Sequence, residues 1–515
     1  MMPVSEIELF VFLLLAVAVL AGLGLRSGVP YPVALVLGGL VIGLVPGLPS
    51  PELDPDIVFF VFLPPLLYAA AIAVSAHELR ANWAPITLHA VGLVLVTIAA
   101  VAVVANAVLG VPWAAAFVLG AVLGPTDPVS AAAVLDRLGV TGRSKTILEG
   151  ESLVNDGTAL TAYKIAIAAV GGSAGSVVGV GAQFVAVAAG GIAIGLAAGW
   201  VFAHLRRLVT DPSLDVTLSV ITPFVAYIPA EQVGASGVLA TVAAGLYVGT
   251  RSLDIIEPGT RLRTLAFWES AGFLLDGLLF LLIGVQVPTI LDRIDDVDAA
   301  TLTGYALLVF VVVMGMRFLW MLIVPAALPS KTSREERIVI AWSGMRGGVS
   351  LAAALAITVD GFPQRDLVIF VAYAVIVLTL VLPGLTLSTL VKRLGLQESE
   401  EHRRNAAEAR VRITQAGLER LDELEGDAPE HVVQRLRDRY SSRLERLEAR
   451  VEGDADERGQ TDVAQAGKLM AEMIEAEREV LRAMRDERAF SDDILREVER
   501  ELDLDDSRLS ARIRL

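Results

Sequence analysis

The sequence GPTDPVS, residues 124–130, interrupts an apolar stretch that otherwise runs from residue 113 to residue 136. Two prolines, a glycine and an aspartate within five residues do not fit a continuous helix, because proline removes a backbone donor and clashes with the preceding turn. A second stretch, GMRGGVSLA at residues 344–352, places glycines around a charge inside another apolar run. Breaks at such positions are tolerated in a membrane only where they line a buried cavity.

The composition places most of the chain in a membrane. Of its 515 residues, 54% are hydrophobic and only 19% are charged, a balance that is rare in soluble proteins. The charges are segregated, since 32 of the 58 acidic and 22 of the 42 basic residues lie in residues 397–515. We therefore expect an all-α polytopic membrane domain over residues 1–395 and a charged cytoplasmic helical tail over residues 396–515.

Several function classes are excluded by composition. A net charge of −16 argues against a nucleic-acid partner, which would require a basic face. The absence of cysteine excludes disulfides, thiolate metal sites and cysteine nucleophiles. The five histidines are scattered without metal-ligand spacing, and no cofactor is expected.

Thirteen apolar segments recur in the first domain at roughly the 20 residues needed to cross a bilayer. The loops on one side of these segments carry thirteen basic residues, whereas the other side carries only Arg293 and Arg365. The positive-inside rule then places the N-terminus outside and the tail, which starts at Lys392, in the cytoplasm of a cell-membrane protein. The segments are residues 6–25, 31–47, 57–74, 85–109, 113–136, 147–170, 177–204, 214–230, 233–249, 264–290, 303–326, 338–359 and 366–391.

The two interrupted segments are seven apart and therefore cross the membrane in opposite directions. Segments one to six and eight to thirteen would then form two inverted six-helix repeats joined by segment seven. Paired broken helices in matching halves are the best sequence indication of a secondary transporter's binding site.

The sixth segment carries the most informative charge. Asp156 lies about nine residues into it, Ser152 is on the same helical face, and Asn155 is adjacent. A carboxylate beside hydroxyl and amide oxygens suits a dehydrated alkali cation, and away from water it can hold a proton instead. A group that binds either ion, but not both, is a minimal exchanger. The alternative is a structural polar patch between helices, which is rarer for an acid at membrane depth.

The breaks contain two further charges. Asp127 precedes a proline, which is favoured at the first helical position, so Asp127 is expected to cap the second half-helix. Backbone carbonyls near Thr126 could ligate a cation. Arg346 is expected to be architectural, near the negative end of a half-helix.

Other intramembrane charges divide into a pair and two unassigned residues. Arg317 cannot easily remain unpaired in a membrane, and Glu151 points away from the Asp156 face, so the two are expected to form an interhelical ion pair. Asp276 is ambiguous, as is Lys164, which can extend its ammonium to the interface.

Four motifs in this order resemble the monovalent cation:proton antiporter-1 family, which includes bacterial NhaP and animal NHE-type sodium/proton exchangers. The motifs are FLPPLLYAA (62–70), GPTDPVS (124–130), EGESLVNDG (149–157) and GMRGGVSLA (344–352). The resemblance implies a homodimer with elevator-type alternating access and exchange of one cation, Na⁺ foremost, for one H⁺.

The resemblance also implies roles for individual residues. Asp156 would bind the cation and the proton competitively, with Asn155 beside it, Ser152 and Thr126 completing the site, and Asp127 ordering it. Glu151 and Arg317 match the family's interhelical ion pair, and Arg346 matches its arginine between the half-helices.

One position departs from the family. Many relatives carry an acid or asparagine where this chain has Ala69. A missing ligand or gate carboxylate at this position would leave K⁺ or Li⁺ as alternatives to Na⁺.

Three other functional classes share some of these sequence features. An intramembrane hydrolase could use Asp127, Asp156 and Asp276, but the spans contain no Gly-x-Gly-Asp, serine–histidine or HExxH motif. A channel would not require a single titratable carboxylate at the crossing of two breaks. A transporter-like sensor remains an alternative because of Ala69, although Asp156 argues against it.

The tail is predicted to form three or four amphipathic helices in a small bundle or coiled-coil contact, with breaks near residues 426–429 and 453–459. A stabilising or dimerising appendage is favoured over a dedicated sensor. The apolar positions on which this rests are Val411, Ile413, Leu418, Leu421, Leu424, Leu469, Met470, Met473, Ile474, Val480, Leu481 and Met484.

Overall fold

The computed structural model is helical throughout the residues it describes, with no strand among them. Residues Met1–Glu398 form one compact unit and residues Ser399–Leu515 another. The residues described are 6–45, 55–138, 140, 143–172, 177–291, 297–327, 332–357, 361–396, 400–424, 428–452, 457–486, 494–495, 498–499, 501–504 and 506.

The helices of the first unit follow the apolar segments of the sequence. Their bounds are α1 (Glu6–Ser27), α2 (Tyr31–Gly43), α3 (Pro55–Ala73), α4 (Ala76–Ala81), α5 (Trp83–Leu109), α6 (Trp113–Leu123), α7 (Pro128–Arg137), α8 (Arg143–Val170), α9 (Val177–Arg207), α10 (Pro212–Gln232), α11 (Gly237–Ile255), α12 (Pro258–Leu291), α13 (Ala299–Ala327), α14 (Arg334–Trp342), α15 (Gly348–Leu355) and α16 (Arg365–Leu394).

Nine helices of the described chain are long and apolar enough to cross a membrane. The four other predicted segments are different in kind. Helix α2 has only 13 residues, α8 has 28 residues but carries several ionisable side chains, and α6/α7 and α14/α15 are the two broken pairs. Thirteen crossings therefore stay a prediction, as do the inverted repeats.

The helices of this unit pack closely where glycines remove side chains. A Cβ on Gly284 of α12 would lie 2.1 Å from the carbonyl oxygen of Val36 on α2. A Cβ on Gly195 of α9 would lie 2.0 Å from the carbonyl oxygen of Ala240 on α11. Backbones can approach this closely only without a side chain between them, which is the usual device for packing helices in lipid.

The outer surface of the first unit is apolar. Leu25 of α1, Trp200 of α9 and Leu322 of α13 are 70%, 60% and 70% exposed. A soluble protein rarely exposes continuous surface of this kind. The surface matches hydrocarbon, in which every backbone group must be bonded within its own helix.

Helix α3 deviates from regular α-helix just before the double proline. Residues Val58–Phe62 form a π-helical turn, and Pro64 and Pro65 follow in the first turn of the next α-helical stretch. Prolines lack the N–H that a regular turn would use, and a wider turn accommodates the missing bonds.

The second unit contains three long helices, α17 (Glu400–Glu423), α18 (Glu430–Glu452) and α19 (Glu457–Asp486). Helices α17 and α18 pack against each other. Ile413, a predicted core position, is 71% exposed, and the adjacent Thr414 is buried instead. Residues 453–456, within the second predicted break, lie outside the described residues.

Candidate functional site

The two broken helices meet at their breaks. The backbone N–H of Asp127 donates to the carbonyl oxygen of Met345 at 2.7 Å. Gly347 is tightly packed there, since a Cβ on it would lie 2.7 Å from the Cβ of Asp127. The chain between α6 and α7 is therefore hydrogen-bonded directly to the chain between α14 and α15.

Asp127 is the N-cap of α7. Its Oδ1 accepts from the backbone N–H of Val129 at 3.0 Å, and its Oδ2 accepts from the hydroxyl of Ser130 at 2.9 Å. These bonds satisfy donors that a helix start leaves free. Helix α15, whose N-cap is Gly347, begins without a side-chain cap. Both half-helices therefore direct positive dipole ends toward the breaks.

Arg346 lies between the half-helices and is 2% exposed. Its Nε donates to the carbonyl oxygen of Leu123 at 3.2 Å, and its Nη1 donates to the carbonyl of Gly344. Leu123 is the last residue of α6. The guanidinium thus neutralises a negative helix end and ties one break to the other.

Thr126 is the point where the first break contacts α8. Its carbonyl oxygen accepts from the hydroxyl of Ser152 at 3.1 Å and from Nδ2 of Asn155 at 3.2 Å. Its hydroxyl accepts from the same Asn155 nitrogen at 2.8 Å and donates to Oε1 of Glu151 at 3.1 Å. The carbonyl that the sequence offered as a cation ligand is thus already bonded to two donors.

Glu151 and Arg317 are brought together, each 1% exposed. Arg317 Nη1 lies 2.5 Å from Glu151 Oε1, and Nη2 lies 3.0 Å from Oε2. Arg317 Nε also donates to the carbonyl of Ile340 at 3.1 Å. This bidentate pair joins α8 to α13, and through Ile340 to α14.

Asp156 is buried at 7% exposure and lines a cavity of about 430 Å³. Within the part of the chain that the structure describes, its carboxylate has no hydrogen bond and no ion pair. Beside it, Asn155 is fully buried and its Oδ1 has no hydrogen-bond donor among the described residues. Buried acceptors are seldom left in this state. The Asp156 carboxylate faces the cavity and can therefore receive an external ion, whereas Asn155 is not among the cavity-lining residues.

The cavity extends from the breaks toward the N-terminal end of α8, where Lys145 and Glu149 line it. Ser152 and Asp127 contribute to its polar wall. The wall formed by α3 is apolar and consists of Leu63, Leu66, Leu67, Ala70, Ala73 and Val74.

The structure also places residues that sequence reasoning left unassigned. Asp276 of α12 lines the same cavity as Asp156, although its isolated position in an apolar helix gave no sign of this. Lys164, which could have extended to the interface, forms an ion pair with Glu231 at 2.6 Å.

A buried ion pair was missed altogether. Arg206 is one of the thirteen basic residues that the sequence assigns to loops. It is 2% exposed and forms a bidentate pair with Asp215, with contacts of 2.7 and 2.5 Å. The signal available was an arginine and an aspartate flanking the short turn between α9 and α10, which brings the helix ends together.

Comparison with known proteins identifies relatives of the whole chain. An uncharacterized Na⁺/H⁺ exchanger of Mycobacterium tuberculosis is 36% identical over 97% of this chain and 96% of its own. The low-affinity Na⁺/H⁺ antiporter NhaS1 of Synechocystis is 32% identical over 78% of each chain.

A solved structure has the same fold. The sodium proton antiporter MjNhaP1 of Methanocaldococcus jannaschii at pH 8 aligns with a TM-score of 0.63 and 18% identity, over 75% of this chain and 98% of that one. The family model for the transmembrane sodium/hydrogen exchanger matches residues 12–393. The chain therefore belongs to the sodium/hydrogen exchanger family, and is a multi-pass membrane antiporter.

Proposed function

We propose that this protein exchanges one monovalent cation for one proton, and that Asp156 binds the two competitively. Na⁺ is the first candidate cation, with K⁺ and Li⁺ as alternatives. The observation that carries the proposal is a buried carboxylate that has no hydrogen bond or ion pair among the described residues and that faces a cavity at the crossing of two helix breaks. An ionised acid in such a place requires a cation or must take up a proton.

The oxygens around Asp156 define the cation's first ligands. The Oδ1 of Asn155 accepts no hydrogen bond among the described residues, but Asn155 does not line the cavity and would ligate the cation only after its side chain turned toward Asp156. The hydroxyl of Ser152 donates its proton to Thr126, so its oxygen can still accept a cation from the cavity side. The carboxylate of Asp127 keeps lone pairs beyond its two capping bonds. The Thr126 carbonyl oxygen positions Ser152 and Asn155 by accepting a hydrogen bond from each. It would ligate the cation only if one of these side chains turned away.

Competition at one carboxylate makes the exchange electroneutral. The loaded site has the same net charge whether Asp156 is protonated or binds a monovalent cation. Glu151 is not a second exchanging group, because Arg317 neutralises its charge. Asp127 is not one either, because its carboxylate is bonded as a helix cap. The transporter then moves no net charge in a complete cycle.

The transport cycle we propose is of the elevator type. The loop charges favour an N-terminus outside and a cytoplasmic C-terminus, which makes the N-terminal end of α8 cytoplasmic. The cavity reaches Lys145 at that end, which supports an inward-open state. The breaks, α8 and the Glu151–Arg317 pair would move as one body within a homodimer of thirteen-span protomers. We propose residues 1–395 as the exchanger and 396–515 as its appended tail.

The test is proton flux in proteoliposomes containing a pH-sensitive dye. With wild-type protein, addition of Na⁺, K⁺ or Li⁺ should collapse a proton gradient imposed across the vesicle membrane. With Asp156→Ala or Asp156→Asn, the gradient should persist after the same addition. Asp254→Asn, which removes an exposed acid at the end of α11, should behave as wild type. Failure of every cation from pH 6 to pH 9 with folded, inserted wild type would reject exchange and favour the sensor alternative.

A further inference from the structure

The oxygen-bearing side chains that line the cavity are unevenly distributed among its helices. Ser152, Asp156 and the first break contribute oxygens. Helix α3 contributes only apolar side chains. A dehydrated alkali cation needs oxygen ligands around it, since polar side chains replace its water shell. The only oxygen-bearing side chain that α12 contributes to the cavity among the described residues is Asp276.

The position of Asp276 is fixed by packing on the same face of α12. Leu279, three residues later, contacts the start of α15, since a Cβ on Gly348 would lie 2.7 Å from its Cδ1. Residues three and four apart share a helical face, and Asp276, Leu279 and Phe280 all line the cavity. This face of α12 is therefore held against the second break.

No side chain or backbone group among the described residues accounts for a carboxylate at Asp276. Among the described residues it accepts no hydrogen bond and forms no ion pair. Asp156 and Asp276 each interact electrostatically with Asp127, which is already bonded as a helix cap. A carboxylate that neither caps a helix nor pairs with a base is costly at this depth. The proposed function brings two positive charges into this cavity, the exchanged cation and the proton, and a carboxylate at this position can ligate the cation.

We propose that Asp276 is a specificity-determining ligand of the exchanged cation, provided by α12. This inference rests on the proposed exchange function. Ala69 is not among the cavity-lining residues, whereas its neighbour Ala70 is. Helix α3 contributes only apolar side chains to the cavity, and in this proposal α12 provides the oxygen ligand that α3 does not. Because a small ion approaches a carboxylate more closely, Asp276 favours Na⁺ and Li⁺ over K⁺.

The test compares Asp276→Asn with Asp276→Glu and with the exposed control Asp254→Asn. Exchange is measured in proteoliposomes as a function of Na⁺, Li⁺ and K⁺ concentration. For Asp276→Asn, the KM for Na⁺ should rise by about tenfold, because one charge interaction in the cavity is lost. Its KM for K⁺ should change less, and its maximal rate should be retained. Asp276→Glu should keep the wild-type order of cations.

A binding measurement separates ligation from a structural role. Na⁺ should raise the melting temperature of detergent-purified wild type, because a ligand of the folded state stabilises it. Asp276→Asn should keep the melting temperature measured without Na⁺ but need higher Na⁺ for the same increase. An unchanged KM and cation order in Asp276→Asn, alongside active wild type and inactive Asp156→Ala, would overturn this inference and leave exchange intact. A uniform loss of maximal rate with unchanged Na⁺ binding would also overturn it.

Discussion

At the scale of single residues, the Glu151–Arg317 pair offers a sharp test of stability. Glu151→Gln would leave the Arg317 guanidinium charged and without its carboxylate in a position that is 1% exposed. Removal of one partner from a buried pair typically costs about 3 kcal/mol or more. We expect a large decrease in the melting temperature of the purified protein, since the pair joins α8 to α13.

A half-exposed pair provides the matched control. Lys164→Gln breaks the ion pair with Glu231, in which the lysine side chain is 47% exposed. Solvent-exposed pairs contribute about 1 kcal/mol or less. Equal decreases in melting temperature for Lys164→Gln and Glu151→Gln would contradict this ranking. The double variant Glu151→Gln/Arg317→Gln should recover part of the loss, because no uncompensated charge remains.

The site could be predicted residue by residue only where a local signal existed. Asp156 could be found because an acid in an apolar segment is rare, and Asp127 because a proline follows it. No spacing rule connects Asp276 with Asp156, because their placement on one cavity arises from the packing of α12 against the second break. Likewise, the bonds of Thr126 to α8 depend on tertiary approach.

At the scale of helices, the close packing of backbones at glycines predicts that glycine-to-alanine substitutions at two sites of α12 change stability in different directions. Gly284→Ala would place a methyl group 2.1 Å from the carbonyl oxygen of Val36. The resulting separation of α2 from α12 should cost about 1–3 kcal/mol. Gly272→Ala meets no atom within 4 Å and should leave stability unchanged or raise it, since alanine is the better helix former.

The measurement is the melting temperature of both variants in the same detergent. A decrease for Gly284→Ala with no decrease for Gly272→Ala would support close backbone packing of α2 and α12. Similar values for the two variants would mean that α2 can move away at little cost.

The helix breaks could be predicted from sequence more reliably than the helix ends. Proline and glycine specify a break locally, and the first break indeed lies between Leu123 and Pro128. The start of α8 at Arg143, ahead of the predicted residue 147, could not be predicted from hydropathy. The first turn of that helix is polar and is stabilised by contacts such as the bond between Ser144 and Glu336 at 2.9 Å.

At the scale of the whole molecule, segregation of charge separates an apolar unit from a polar one. The first unit exposes apolar side chains along α1, α9 and α13, whereas the exposed ion pairs of the second unit, such as Arg412–Glu408, lie in solvent. Composition alone predicts an apolar domain followed by a charged tail, because apolar surface and charged surface require different surroundings. The packing of the helices within each unit follows from close contacts that composition does not record.

The charge balance of the transport cycle is a property of the whole protein and can be measured directly. If Asp156 is the only group that exchanges a cation for a proton, a Na⁺ concentration jump on a solid-supported membrane should produce proton flux without a transient current. The neutral pair Glu151–Arg317 contributes no moving charge. If Asp276 also took up a proton in each cycle, two protons would move per Na⁺ and a current would appear. Asp276→Asn would then abolish that current, which separates a proton-carrying role for Asp276 from the cation-ligand role proposed for it.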